Sequence, residues 1–327
     1  MPGLAPQPPA KNSTNVRFHW TLRAAAALAG RTAPSLAAAF AERLFFTPPR
    51  NGTAAPTAAG REDAEPVRFT ADGTRLAGWR WGHGPAVALL HGWGGHAGQL
   101  AGFVAPLLER GFSAVAFDAP GHGRSGGRLS SAPQFARALR AVAERFGPLR
   151  GVVAHSLGAT AAALAVRDGL RVGRAVFLGP AADPPAWAAR FARGLGLGAE
   201  ELDRMRARSE RRLGLRWREL AVPSFAGGLD VPLLILHDRD DAEVPLRDGA
   251  AIAAAWPGAR LVETTGLGHY RILRSPEVTA QAAAFLAVGP GCASCGRPLL
   301  DGGPCESCRL ELELFDPEAR REGRDAA

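Results

Sequence analysis

From residue 65 onward, apolar and polar positions follow a regular plan. "PVRFTADGTRLAGWRW" alternates along both halves and turns at Asp72-Gly73, which predicts a β-hairpin. Short apolar runs follow: "AVALLH", "SAVAFD", "GVVAH", "AVFLG", "PLLILHD" and "RLVETT". Helical periodicity lies between them, near 97–109, 133–145, 157–166, 246–255 and 277–287. Strands that are apolar throughout and alternate with helices predict an α/β fold: a mainly parallel sheet with helices on both faces. The alternation fails between about residues 181 and 228, where an inserted helical segment is expected.

The chain before residue 65 reads differently. Residues 1–15 are rich in proline, alanine and polar side chains and are expected to be disordered. Residues 16–46 carry helical signals, with Phe18, Leu22, Leu28, Leu36, Phe40, Leu44 and Phe45 as apolar anchors. Pro34 splits this stretch into two helices, and Thr32 is the expected cap of the second. The helices are expected to form an arm packed on the main domain. The alternative is an amphipathic membrane-surface segment, because Arg17, Arg23, Arg31 and Arg43 suit anionic lipid. Residues 47–64 read as a linker.

Composition narrows the function. With 327 residues, 46% of them hydrophobic, the chain can bury a large core. The net charge of +8 does not point to nucleic acid, because the arginines are scattered and Lys11 is the only lysine. No apolar run approaches the ~20 residues a bilayer span needs. In "LRAAAALAG" the uncharged core from Ala24 to Gly30 is barely long enough for an export signal and begins late, so none is read and a cytoplasmic location is expected.

In open parallel sheets, reactive groups lie on loops beyond the carboxyl ends of the strands. Four such loops hold the candidate chemistry. His91-Gly92-Trp93-Gly94-Gly95 follows one strand and "APGHGRSGG" another. Ser156 stands between "GVVAH" and an alanine-rich helix, with Ala154 and Gly158 two residues to either side. That spacing fits a G-x-S-x-G nucleophile elbow whose first glycine is alanine. "RDDAEVP" offers Asp240 and Asp241, with Asp238 just before them, and "GLGHY" offers His269. The order Ser, Asp, His is that of hydrolases built on such sheets. Among the other histidines, His91 and His155 are expected to orient loops and His122 to shape one. His237 is expected to be buried, and no motif supports His19, His83 or His96.

Over residues 65–288 the sequence resembles the α/β-hydrolase superfamily in its serine esterase/lipase-like branch. The resemblance rests on "HGWGG", "FDAPGHGRSGG", "AHSLGA", "DDAEVP" and "GLGH" in that order. It implies Ser156 as nucleophile, His269 as base and Asp241 as the acid, four residues before Pro245. Asp240 and Asp238 remain alternatives. It further implies an oxyanion hole from the backbone N–H groups of Trp93 and Leu157, and a helical cap at about 181–228. Apolar residues there (Trp187, Phe191, Leu195, Leu197, Trp217) suit an acyl substrate. The arginines between Arg204 and Arg218 form a solvated face, or favour a neutral or anionic ligand.

All four cysteines, Cys292, Cys295, Cys305 and Cys308, fall in two C-x-x-C pairs nine residues apart. This spacing predicts a zinc-ribbon-like module at 289–310 that binds one structural zinc, followed by a charged tail at 311–327. Two disulfides are the rival reading. The function expected is acyl-ester hydrolysis without a catalytic cofactor. The alternative is an inactive hydrolase-fold scaffold that recruits a partner through its zinc module.

Overall fold

The computed structural model describes residues 18–49 and 64–289. Its elements begin with α1 (Trp20–Thr32), α2 (Pro34–Phe45), β1 (Glu65–Ala71), β2 (Thr74–Trp81) and β3 (Ala86–Leu90). Next come α3 (Val104–Leu108), β4 (Ser113–Phe117), α4 (Ala132–Phe146), β5 (Leu149–His155), α5 (Leu157–Arg167) and β6 (Ala175–Leu178). They are followed by α6 (Pro184–Leu195), α7 (Ala199–Leu213), β7 (Leu233–Asp238), α8 (Leu246–Ala255) and β8 (Arg260–Thr264). The last are α9 (Gly268–Arg271) and α10 (Pro276–Ala287). Among the described residues, no helix is long and apolar enough to cross a membrane.

Two compact units result. Of the described residues, the larger comprises 47–49, 64–184 and 218–289. It holds one eight-stranded sheet of order β1-β2-β4-β3-β5-β6-β7-β8. β1 and β2 run antiparallel to their neighbours, and every other pairing is parallel. Every residue of β3, β4, β5, β6 and β7 is buried, so helices cover both faces and the strands need no polar side. One layer of the core joins Trp79, Trp81, Leu100, Phe103, Phe112 and Leu286. The chain leaves β3 for β4 on one side and returns for β5 on the other. That reversal opens a crevice at the strand ends, where ligands bind in such sheets.

The smaller unit joins the N-terminal helices to Pro185–Trp217. Phe18 and Phe45 each set a ring edge-on to Phe191 of α6, at 5.2 and 5.1 Å. Glu42 of α2 is buried and accepts from Arg208 Nε at 3.1 Å and Arg212 Nε at 2.9 Å, both on α7. The N-terminal helices form one compact unit with the inserted helices, in which Phe191 and the α7 arginines supply their partners. One sequence expectation is corrected here. Thr32 does not cap α2: it is the last residue of α1, and its hydroxyl donates to Leu28 O at 3.0 Å. Ala33 breaks the path with φ −148°, and Pro34 starts α2 where a missing N–H costs nothing. The quartet Cys292, Cys295, Cys305 and Cys308 lies outside the described residues, as do the module and tail expected around it. Among the described residues no cluster of His, Cys, Asp and Glu could hold a metal ion.

Candidate active site

Ser156 joins β5 to α5 with φ +53° and ψ −121°. Asp72 is the only other non-glycine residue with positive φ among the described residues, and it sits in the hairpin turn. A side chain at such a φ is strained, and the surroundings must hold it there. The small neighbours explain how. A Cβ on Gly158 would lie 2.5 Å from His91 O and 2.8 Å from Leu90 O. A Cβ on Gly92 would lie 2.9 Å from Ser156 Cβ. Ala154, in place of the elbow's usual first glycine, is enclosed within β5 opposite Leu90 and Phe177 without loss of pairing. Ser156 itself is partly exposed, and Leu157 opens α5, so its N–H has no acceptor within the helix. Trp93, on the loop after β3, is partly buried.

His269 lies in α9, on the loop system after β8. Its Nδ1 stands 2.7 Å from Asp241 Oδ2. Asp241, buried after β7, accepts from Glu243 N and Val244 N on its other oxygen, at 2.9 and 2.8 Å. With that oxygen taken by the main chain, Oδ2 is left to the imidazole. Asp240 points elsewhere: it is exposed and accepts from Gly266 N at 2.7 Å. Asp238 is also committed. Its carboxylate accepts from Asp240 N, Thr264 Oγ1 and Leu267 N, tying the end of β7 to the loop after β8. Burial alone would raise its pKa. Hydrogen bonds from Thr264, Gly268, Leu267 and Asp240 outweigh burial and hold it below the usual carboxylate range.

The remaining histidines form the scaffold. His91 donates from Nδ1 to Gly92 O at 2.7 Å and accepts from Ala119 N at Nε2, at 3.0 Å. His122 bridges Pro120 O and Gly94 N in the same manner. Each ring fixes two backbone segments only while neutral. Burial lowers the His91 pKa to about 4, beyond what its bond to Gly92 restores. His155 donates from Nε2 to His269 O at 3.0 Å, and the two rings are 4.5 Å apart. Burial, then the neighbouring His269, pushes its pKa well down. His237 is buried, donates to Val244 O at 2.9 Å and has its Nε2 3.6 Å from Asp241 Oδ2.

Sequence reasoning missed Gly179, which follows β6 with φ +49°. A Cβ there would stand 3.1 Å from Asp241 Oδ2 and 3.2 Å from His269 Nδ1. The "LGP" that ends the strand run carried only a turn signal.

Residues 83–218 match the family model described as "Serine aminopeptidase, S33". A non-heme haloperoxidase from Rhodococcus erythropolis is 29% identical, over 62% of this chain and 92% of that protein. Among solved structures, the esterase Pf2001 of Pyrococcus furiosus superposes with a TM-score of 0.56 at 22% identity, covering 73% of this chain and 98% of that one. The esterase RhEst1 from a Rhodococcus species gives 0.51 at 19% identity, covering 69% and 98%. The chain has the α/β-hydrolase fold.

Proposed function

We propose that the protein is a serine hydrolase that cleaves a carboxylic ester, or a related acyl bond, through an acyl-enzyme. The observation that carries this reading is the His269–Asp241 hydrogen bond, taken with a strained serine at the sheet's switch point whose chain neighbour His155 donates to His269 O. Ser156 Oγ attacks the acyl carbonyl and its proton passes to His269 Nε2. Asp241 holds the Nδ1–H and stabilises the imidazolium. The charge that develops on the carbonyl oxygen is received by the N–H groups of Leu157 and Trp93, each worth about 3–4 kcal/mol by precedent. His269 then protonates the leaving alkoxide. A water, deprotonated by the same ring, hydrolyses the Ser156 ester and restores the enzyme.

The substrate is proposed to be a small acyl compound, neutral or anionic. Several arginines of the inserted helices are already engaged: Arg204 with Glu200, Arg206 with Asp203, and Arg208 and Arg212 with Glu42. The charge of these four is therefore partly matched, which keeps a neutral ester within this reading beside an anionic one. On spacing alone, Cys292, Cys295, Cys305 and Cys308 are proposed to bind one structural zinc, which needs reduced thiols and hence a cytoplasmic setting. Elemental analysis of protein purified under reducing conditions tests that point. Zinc-free protein with four titratable thiols would overturn it.

The central test is labelling by a fluorophosphonate together with turnover of acyl esters, thioesters and amides. Wild type is expected to label and to prefer esters, and Ser156→Ala to lose both activities with its melting curve intact. Full turnover in Ser156→Ala would remove the proposal.

A further inference from the structure

The smaller unit exposes apolar side chains in an ordered pattern that the chemistry at Ser156 does not use. Trp20 is 71% exposed, Leu28 62%, Leu36 72% and Phe40 48%. These are core-sized residues at exposures normal for lysine. On α1, Trp20, Ala24, Leu28 and Arg31 follow at spacings of four, four and three, one side of a helix, and all are exposed. On α2, Leu36, Phe40 and Arg43 repeat the arrangement, again exposed. The opposite sides are buried, through Ala26 and Gly30 on α1 and Ala37, Ala38 and Ala41 on α2. Each helix therefore has one side that packs within the unit and another that presents large apolar groups ending in an arginine.

Charge selects the occupant. Glu42 is the only carboxylate in the two helices, and it is buried under Arg208 and Arg212. The outward sides of α1 and α2 thus carry cations and no exposed anion. A second copy of the chain would bring one side whose only charges are cations against another of the same kind, with no counter-charge from these helices. An anionic lipid surface complements a side that carries cations, and its acyl boundary receives Trp, Leu and Phe while arginine reaches the headgroups. Helices of 13 and 12 residues are too short to span a bilayer and fit lying along its surface.

We infer that α1 and α2 dock the protein onto anionic membrane surfaces through the Trp20–Leu28–Arg31 and Leu36–Phe40–Arg43 stripes. The Glu42 bridges hold α2 on α7, so the stripe is displayed from a packed unit.

Co-sedimentation of the full chain with phosphatidylcholine vesicles, with and without phosphatidylglycerol, tests this. Binding is expected to vesicles containing phosphatidylglycerol, to weaken with added salt, and to fall about tenfold or more in Trp20→Ser/Leu36→Ser. An independent pair, Leu28→Gln/Phe40→Gln, should do the same, and Arg31→Glu should erase the preference for the anionic lipid. Thermal melts check that each variant folds. The proposal fails if wild type binds neither vesicle, or if the apolar variants bind as wild type does. It fails too if sedimentation velocity shows a dimer that these variants dissolve, which would assign the stripes to a second copy.

Discussion

Gly179 lies against both members of the His269–Asp241 pair: a Cβ at 179 would stand 3.1 Å from the carboxylate and 3.2 Å from the imidazole. Its backbone is held in place, since Gly179 N donates to Leu236 O at 2.9 Å. Gly179→Ala combines a strained φ of +49° with a wedge between two groups whose hydrogen bond orients the base. Turnover of an ester should fall roughly tenfold to a hundredfold in kcat with KM little changed. Unchanged kcat in a folded variant would mean that the pair tolerates displacement, or that it plays no part in rate.

The three aspartates after β7 make a sharper comparison. Asp241→Asn keeps the shape but costs the acceptor that selects the Nδ1–H tautomer, so kcat should drop on the order of 10⁴-fold. Asp240→Asn removes an exposed charge while its amide oxygen can still accept from Gly266 N, so turnover should stay within about twofold. Steady-state kinetics on both variants decides the assignment, and the reverse ranking would move the acid to Asp240.

Much of this site was legible because its constraints are local. Ser156 with Ala154 and Gly158 advertises the elbow, since the close approach to His91 O and Leu90 O leaves room only for small residues there. The run of apolar strands announced the parallel sheet for the same reason that all of β3 to β7 is buried. The preference for Asp241 over Asp240 rested on the spacing to Pro245; the contacts themselves were not local, since Asp240 meets Gly266 N and Asp241 meets His269, both beyond β8. The partner of α2 was invisible for a similar reason. Glu42 meets Arg208 and Arg212 across a sequence separation of more than 160 residues, and nothing in "AERLFF" names them. Those arginines read as a solvated face because periodicity reports exposure and not ion pairing.

Stability should depend on pH through the buried imidazoles. His91 has a folded pKa of about 4 against an ordinary value of 6.5. Between those values the unfolded chain binds a proton that the folded chain refuses. Stability is therefore full above about pH 6.5 and is lost as pH falls toward 4. The gap corresponds to about 3 kcal/mol for His91 alone, and His155, shifted in the same direction, adds to the loss. Urea midpoints should fall steeply between neutral pH and about pH 5. His91→Asn should lower stability at neutral pH and flatten that slope. A slope unchanged in the variant would assign the acid sensitivity to other groups.

Glu42 is the last group whose removal separates two accounts. Its carboxylate is buried while Arg208 and Arg212 keep 43% and 33% of their side chains exposed, so solvent weakens each ion pair individually. What the fold cannot easily absorb is a hole in α2 facing two arginines that have lost their acceptor. Arg212 also lies over the Phe46 ring at 4.2 Å, so its position affects packing as well as charge. Glu42→Ala should destabilise the protein by about 1–2 kcal/mol, and Glu42→Gln by less, because the amide oxygen still accepts one guanidinium N–H. Both losses should shrink little in high salt, since the carboxylate is buried and screening reaches it weakly. Denaturation midpoints at low and high salt, with Arg208→Ala and Arg212→Ala as the other corners of double-mutant cycles, measure this directly. A coupling energy that vanishes in salt would show the bridge to be a screened surface pair, and α2 would then be held by apolar packing, through its buried alanines and the contact of Phe45 with Phe191.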